Sequence, residues 1–140
     1  MKVGIYIGFC FIFLFLACDF DKDRQDEIKE LLNTLWTLEF FDIEGTILEP
    51  PKDQPYTIQF RDDSIASGKV DCNYLDANYL IASDNSLRLE QLRVTEMGCG
   101  GDQSISNRYI LALEDAKSYE IHNKYLYIYY GYHSRLIFCR

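Results

Sequence analysis

The chain has 140 residues and a formal net charge of −8 at pH 7, from 22 acidic and 14 basic side chains. This length accommodates one compact domain. The acidic balance argues against nucleic acid, and against an anionic lipid surface, as an electrostatic partner.

The N-terminal segment has the pattern of a secretory signal peptide. Lys2 is followed by an uncharged, apolar run from Val3 to Ala17, which is shorter than the roughly 20 residues that a membrane-spanning helix needs. Residues 1–17 are therefore predicted to be a signal peptide that is removed, and Cys10 is lost with them. The remaining residues, 18–140, suffice for a single domain.

The end of this segment, Phe15-Leu16-Ala17-Cys18, resembles the lipobox of bacterial lipoproteins, with Phe15 where leucine is usual. The resemblance implies that Cys18 is acylated, with palmitate, and anchors the protein in a membrane through its acyl chains. The acidic residues 18–26 would then form a tether. This tether resembles the export signals of some Bacteroidota surface lipoproteins, whereas Asp19 favours inner-membrane retention in enterobacteria. We expect the outer membrane or cell surface, with the inner membrane as the alternative.

The next segment has the apolar spacing of a helix. Its stripe predicts a helix from about Asp23 to Asn33, with acidic residues near the start, where the helix dipole favours negative charge. The apolar residues of the stripe are Ile28, Leu31, Leu32 and Leu35.

From Trp36 onward the pattern becomes that of β-strands, rich in bulky residues and bounded by turn residues. Pro50, Pro51 and Pro55 force an extended connection that cannot lie inside a sheet. Gly68 weakens the strand that contains it. The predicted strands are 36–43, 46–48, 56–60, 64–70, 79–82, 86–94, 117–122, 125–130 and 134–139.

A second helix is predicted from about Gln103 to Glu114, because Tyr109, Ile110 and Leu113 lie on one helical face. About eight short antiparallel strands and two helices predict a mainly β, α+β fold. We expect a curved sheet or incomplete β-barrel, with a helix packed against its opening.

The strands 79–82 and 86–94 form a predicted hairpin with a cysteine at each end, Cys72 and Cys99. In an oxidising compartment these two would pair, because they flank the same hairpin. A bridge that uses Cys139, in the last predicted strand, is the alternative.

The hairpin also carries a resemblance to a known family. Cys72-Asn73 and Thr95-x-Met97-x-Cys99 resemble the META domain of HslJ-like bacterial envelope proteins, and weaker matches extend the resemblance over about 35–138, within a predicted domain 27–140. It implies a β-rich fold, an envelope address and an architectural role for these five residues: Asn73 fixing a turn, Met97 filling the barrel end and Thr95 capping a strand or loop. Asp71 stands where the family usually has a small residue, often glycine, before Cys-Asn, and Ala77 stands in place of the glycine of a following Gly-x-Tyr.

Catalytic and metal-binding patterns are weak. His122 and His133 lie beside predicted turns, and no spacing brings an acid, a base and a nucleophile together, so we expect a non-catalytic protein without a cofactor. Cysteine and histidine lack zinc spacing. The aspartates at 62, 63, 71 and 76 would suit calcium, but such residues are common in turns without metal.

The strand 125–130 is unusually rich in tyrosine, with Tyr125, Tyr127 and Tyr129 on one face. These tyrosines either form structural cross-strand contacts or offer an aromatic surface for a sugar, peptide or lipid.

From the lipobox and the family resemblance together, we predict a membrane-anchored envelope protein that binds or supports other envelope components, including under stress. The alternative is a carrier of a small hydrophobic ligand, in a cavity lined by Tyr79, Leu87 and the tyrosine strand.

Overall fold

The computed structural model describes residues 16–140, so the predicted signal peptide lies outside the described residues except for its last two. No helix within 16–140 is both long and apolar enough to cross a membrane. The elements are α1 (Leu16–Leu31), β1 (Trp36–Ile43), β2 (Thr46–Leu48), β3 (Tyr56–Phe60), β4 (Ile65–Val70), β5 (Asn73–Ile81), β6 (Leu87–Val94), α2 (Gln103–Glu114), β7 (Ala116–His122), β8 (Tyr125–Tyr130) and β9 (Ser134–Cys139).

The strands form one antiparallel sheet with the order β6-β5-β4-β3-β1-β9-β8-β7, and β2 pairs with β1 outside this path. The sheet curls into a half-barrel of eight strands, with α2 packed against its inner face. The predicted fold class, a mainly β incomplete barrel with two helices, is confirmed. The last strand, β9, lies between β1 and β8 and so joins the two halves of the chain.

Helix α1 and strand β5 differ most from the predictions. Helix α1 covers the acidic stretch expected to be a tether and ends at Leu31, because Asn33 adopts a φ of 59° and its amide donates to the Phe60 carbonyl. Leu35, assigned to the apolar stripe, is therefore outside the helix and exposed. Strand β5 begins at Asn73 instead of Tyr79, since Asp71 adopts a φ of 57° and reverses the chain in a two-residue turn.

The two edge strands of the half-barrel meet at one end. Ser86 and Ser118 form an isolated bridge, and the Tyr119 amide donates to the Asn85 carbonyl. Helix α1 covers this seam through Glu27, whose carboxylate accepts from the Ile121 amide at 3.4 Å and from Asn85 Nδ2 at 3.3 Å. One carboxylate on α1 thus joins the edge strand β7 to the turn that leads into the edge strand β6.

Tyr119 lies at the same seam with its hydroxyl buried and without a hydrogen-bond partner among residues 16–140. Burial, with a smaller contribution from the Glu27 carboxylate, raises the pKa of Tyr119 to about 12. The hydroxyl therefore stays neutral beside Glu27 at ordinary pH.

The interior of the half-barrel is filled by aromatic side chains centred on Tyr109 of α2. The Tyr109 ring is fully buried and makes edge contacts with Tyr56 at 5.5 Å and Phe138 at 6.2 Å between ring centroids. Its hydroxyl donates to the Thr57 carbonyl at 3.1 Å, and burial raises its pKa well above the usual value. Asp102 caps the helix by accepting from the Ser104 amide at 2.8 Å, which fixes where α2 starts.

Gly68 lies opposite the hydrogen bond between the Tyr109 hydroxyl and the Thr57 carbonyl, and its role is steric. A Cβ at Gly68 would overlap the Thr57 carbonyl oxygen, the acceptor of the Tyr109 hydroxyl. The Lys69 amide next to it donates to Thr57 Oγ1 at 3.1 Å. The glycine predicted to weaken β4 is therefore what allows β3 and β4 to approach closely.

Replacing Gly68 with alanine should lower the free energy of unfolding by about 2 to 3 kcal/mol, because the added methyl displaces the Thr57 carbonyl from Tyr109. Urea unfolding followed by circular dichroism measures this loss. The matched control is Gly98→Ala, since a Cβ there meets no atom within 4 Å, and a change of about 0.5 kcal/mol or less is expected. Equal losses in the two variants would contradict the steric role of Gly68.

Candidate functional site

The two cysteines of the hairpin form a disulfide. Cys72 lies in the turn between β4 and β5, Cys99 follows β6, and their Cα atoms are 5.7 Å apart. Cys139 is a free thiol on β9. The predicted Cys72–Cys99 bridge is confirmed and the alternative through Cys139 is wrong, because the hairpin geometry places its own two cysteines side by side.

Asn73 connects the remaining motif residues to this bridge. Its Oδ1 accepts from Thr95 Oγ1 at 3.0 Å and from the Met97 amide at 2.7 Å, while its Nδ2 lies 3.0 Å from Cys99 Sγ. Thr95 Oγ1 in turn accepts from the Tyr74 amide at 3.0 Å. The five predicted residues therefore form one hydrogen-bonded and disulfide-linked unit, in which Asn73 holds the irregular segment after β6 against β5.

Met97 belongs to this unit through its backbone. Its side chain, expected to fill the end of the barrel, is instead 47% exposed. The segment after β6 has no strand partner and turns its amide toward Asn73, so the side chain points to solvent. The expectation for the Met97 side chain was therefore wrong, and its backbone amide is what joins Met97 to the motif unit.

The two positions that depart from the family pattern have separate explanations. Asp71 takes the left-handed conformation that glycine would adopt more easily, which aspartate tolerates better than most residues. Ala77 is fully buried where β5 and β6 shift register. Both departures are therefore accommodated by local backbone geometry.

A polar cleft of about 470 Å³ lies between the motif unit and α2. Its walls include residues 94–98 and, from α2, Gln103, Ser106 and Asn107. The Ser106 hydroxyl lies 3.1 Å from the Tyr56 hydroxyl and so forms part of the core. This cleft presents hydrogen-bonding groups and the acidic Glu96 next to the motif.

Replacing Asn73 with alanine should lower the free energy of unfolding by about 2 to 3 kcal/mol, because the Met97 amide and the Thr95 hydroxyl lose a buried partner. Chemical unfolding measures the loss. Asn78→Ala is the matched control, since Asn78 is exposed and its side chain donates to the Gln91 side chain. A loss in Asn73→Ala no larger than that of the control would contradict the linking role of Asn73.

Reducing the disulfide should lower the free energy of unfolding by about 3 to 4 kcal/mol, from the entropy that a 27-residue separation returns to the unfolded chain. Urea unfolding with and without dithiothreitol, on a Cys139→Ser background that removes the free thiol, measures this difference. An unchanged urea midpoint would show that the bridge contributes no stability.

The tyrosine strand has two different faces. Leu126 and Ile128 are fully buried, whereas Tyr125, Tyr127 and Tyr129 lie half-buried on the outer face of the sheet. Register places Tyr127 beside Ile137, which pairs with Phe40 of β1. The three predicted residues are therefore brought together on an outer surface that extends across β9.

The polar groups of this surface bind one another. The Arg135 guanidinium lies 5.2 Å from the Tyr127 ring centroid and its Nε donates to Asp42 at 3.0 Å. The Tyr129 hydroxyl donates to Glu120 at 2.9 Å, and burial raises the pKa of Tyr129. These contacts favour the interpretation of the tyrosines as cross-strand structure.

The hydrophobic cavity predicted for a carrier is filled. Tyr79 packs edge-on against Phe60, with ring centroids 5.2 Å apart, and its hydroxyl donates to the Arg61 carbonyl. Leu87 is fully buried in the same core. Tyr79 and Leu87 are thus packed against core side chains, and the three tyrosines of β8 lie on the outer face instead of lining a cavity.

The remaining candidate residues lie apart. His122 and His133 are exposed at opposite ends of β8, and two of the four aspartates considered for calcium pair with arginine. Those ion pairs are Asp63 with Arg61 and Asp76 with Arg93. No group of three or more histidine, cysteine, aspartate or glutamate side chains in residues 16–140 is arranged to hold a metal ion.

Sequence reasoning missed an open cleft of about 500 Å³ beside β1, formed by the connection from β2 to β3. The three prolines of that connection were its only sequence signal, because they keep it out of the sheet. The lining residues are Thr37, Leu38, Glu39, Phe40, Glu49, Pro50, Pro51, Lys52, Asp53, Gln54, Pro55 and Tyr56.

The half-barrel, the disulfide-linked hairpin and the helix that fills the interior define a β-rich domain with an architectural motif. Solved structures share this fold. A DUF4847 family protein from Bacteroides vulgatus aligns with a TM-score of 0.60 and 14% identity, over 80% of this chain and 96% of its own. A second structure, determined by NMR, aligns with a TM-score of 0.59 and 19% identity, over 79% of this chain and 92% of its own.

The family itself is shown by sequence. The family model of the META domain matches residues 29–140, and the chain therefore belongs to the META domain family. No curated protein matches the chain. The resemblance inferred from Cys72, Asn73, Thr95, Met97 and Cys99 is confirmed.

Proposed function

We propose that this META domain protein is a non-catalytic, lipid-anchored protein of the bacterial envelope that binds or supports other envelope components, including under stress. The observation that carries this proposal is Cys18, which follows Phe15-Leu16-Ala17 directly after an apolar run. Acyl chains on Cys18 would hold the domain at the outer membrane or cell surface, with the inner membrane as the alternative.

The disulfide supports an address outside the cytoplasm. Bridges such as Cys72–Cys99 form and persist in oxidising compartments, whereas cytosolic thiols are kept reduced. The bridge closes the segment that the motif unit stabilises. An oxidising envelope compartment would therefore preserve the disulfide that the fold contains.

The motif supports a structural and binding role over a catalytic one. The side chains of Asn73 and Thr95 hydrogen-bond to each other and accept from the backbone amides of Met97 and Tyr74, respectively. A residue that acts on a substrate needs a group directed outward. The surfaces left for partners are accordingly the clefts and the outer face of the sheet.

Lipidation can be tested on the full-length chain expressed in a bacterium fed an alkyne-tagged palmitate. The wild type and Cys10→Ser should be labelled and should fractionate with membranes, whereas Cys18→Ser should carry no label. Intact mass of membrane-extracted protein should give a mature chain that begins at an acylated Cys18. A labelled Cys18→Ser variant, or an unmodified mature N-terminus, would overturn the anchor.

A further inference from the structure

We propose that the cleft between β1 and residues 49–55 is a docking site for a basic, extended peptide segment of a partner protein. The peptide would lie against the open edge of β1 and direct arginine or lysine side chains toward the acidic walls. The site adds to the proposed function that the partner carries a basic, extended segment. It rests on that function only for the location of the partner in the envelope.

The edge of β1 is incomplete at the cleft. On this edge β3 pairs only with Trp36 and Thr37, and β2 pairs only with 41–43. Residues 38–40 between them have no strand partner on this side, although β9 pairs with β1 on the other. An interrupted ladder of this kind is where an extended peptide can add backbone hydrogen bonds.

The connection that frames the cleft cannot complete the ladder itself. Pro50, Pro51 and Pro55 have no amide hydrogen, so they offer no donors to β1. Together with Phe40 they provide apolar contact area, and a cleft of about 500 Å³ lies within the size range of ligand sites. The space therefore suits a short peptide segment rather than a single ion.

The charges of the cleft favour a cationic occupant. Its walls carry the carboxylates of Glu39, Glu49 and Asp53 against the single ammonium of Lys52. None of these three carboxylates forms an ion pair with another residue of 16–140. An arginine or lysine would supply the missing positive charge.

The test uses the full chain in dodecyl maltoside micelles and a fluorescein-labelled pentapeptide in which arginine alternates with valine. Fluorescence anisotropy should show saturable binding, and amide shifts in the NMR spectrum should change mainly at 37–40 and 49–56. The same peptide with glutamine in place of arginine should not bind detectably. Shifts concentrated elsewhere, for example on the tyrosine strand, would overturn this site.

A charge-matched pair of variants separates the cleft from the general acidity of the chain. Replacing Glu39, Glu49 and Asp53 with their amides should weaken peptide binding about tenfold or more. The control is the triple variant Asp62→Asn, Glu90→Gln and Glu114→Gln, which has the same net charge and alters only exposed residues away from the cleft. Equal weakening in the two triple variants would show non-specific attraction and overturn the proposal.

A further measurement addresses the peptide backbone. Spermidine, a cation without a peptide backbone, should bind at least tenfold more weakly than the peptide, and equal affinity would overturn the peptide assignment. These results do not depend on Cys18, so failure of lipidation and failure of peptide binding are separate outcomes.

Discussion

The hydrogen bond from the Tyr109 hydroxyl to the Thr57 carbonyl is the contact on which the half-barrel depends. It joins α2 to the centre of the sheet, and it exists because Gly68 leaves room for the carbonyl to face the interior. A curled sheet that lacks full closure exposes an apolar inner face, which only a packed helix can cover. Because α2 fills the interior, the candidate binding surfaces of the described residues lie on the outside of the molecule.

The motif unit solves a different problem at the rim of the barrel. After β6 the chain leaves the sheet and must carry its backbone polar groups to α2 without a strand partner. The Asn73 side chain provides a hydrogen-bond partner for the Met97 amide in this segment. The disulfide between Cys72 and Cys99 holds the segment close to Asn73. The motif unit thus stabilises the segment that connects the end of β6 to the start of α2, the helix that fills the half-barrel.

Sequence patterns predicted most of the fold because strands such as 56–60 and 134–139 alternate clearly and are bounded by turn residues. They predicted the disulfide because its cysteines flank one hairpin. The early start of β5 was missed, since Asp71, Cys72 and Asn73 look like a loop until Asp71 is seen to take a left-handed conformation. The cleft beside β1 could not be predicted, because a gap in a ladder depends on which strands pair over which residues.

Helix α1 has a mechanical consequence through the seam that it covers. Glu27 contacts the turn between β5 and β6 as well as the edge strand β7, and it lies between Cys18 and the first strand along the chain. A pulling force applied at the N-terminus therefore reaches Glu27 before it reaches β1 at the centre of the sheet. The two long hydrogen bonds of this carboxylate would break first under load, so the seam would open while the disulfide-linked hairpin and the Tyr109 core stayed intact.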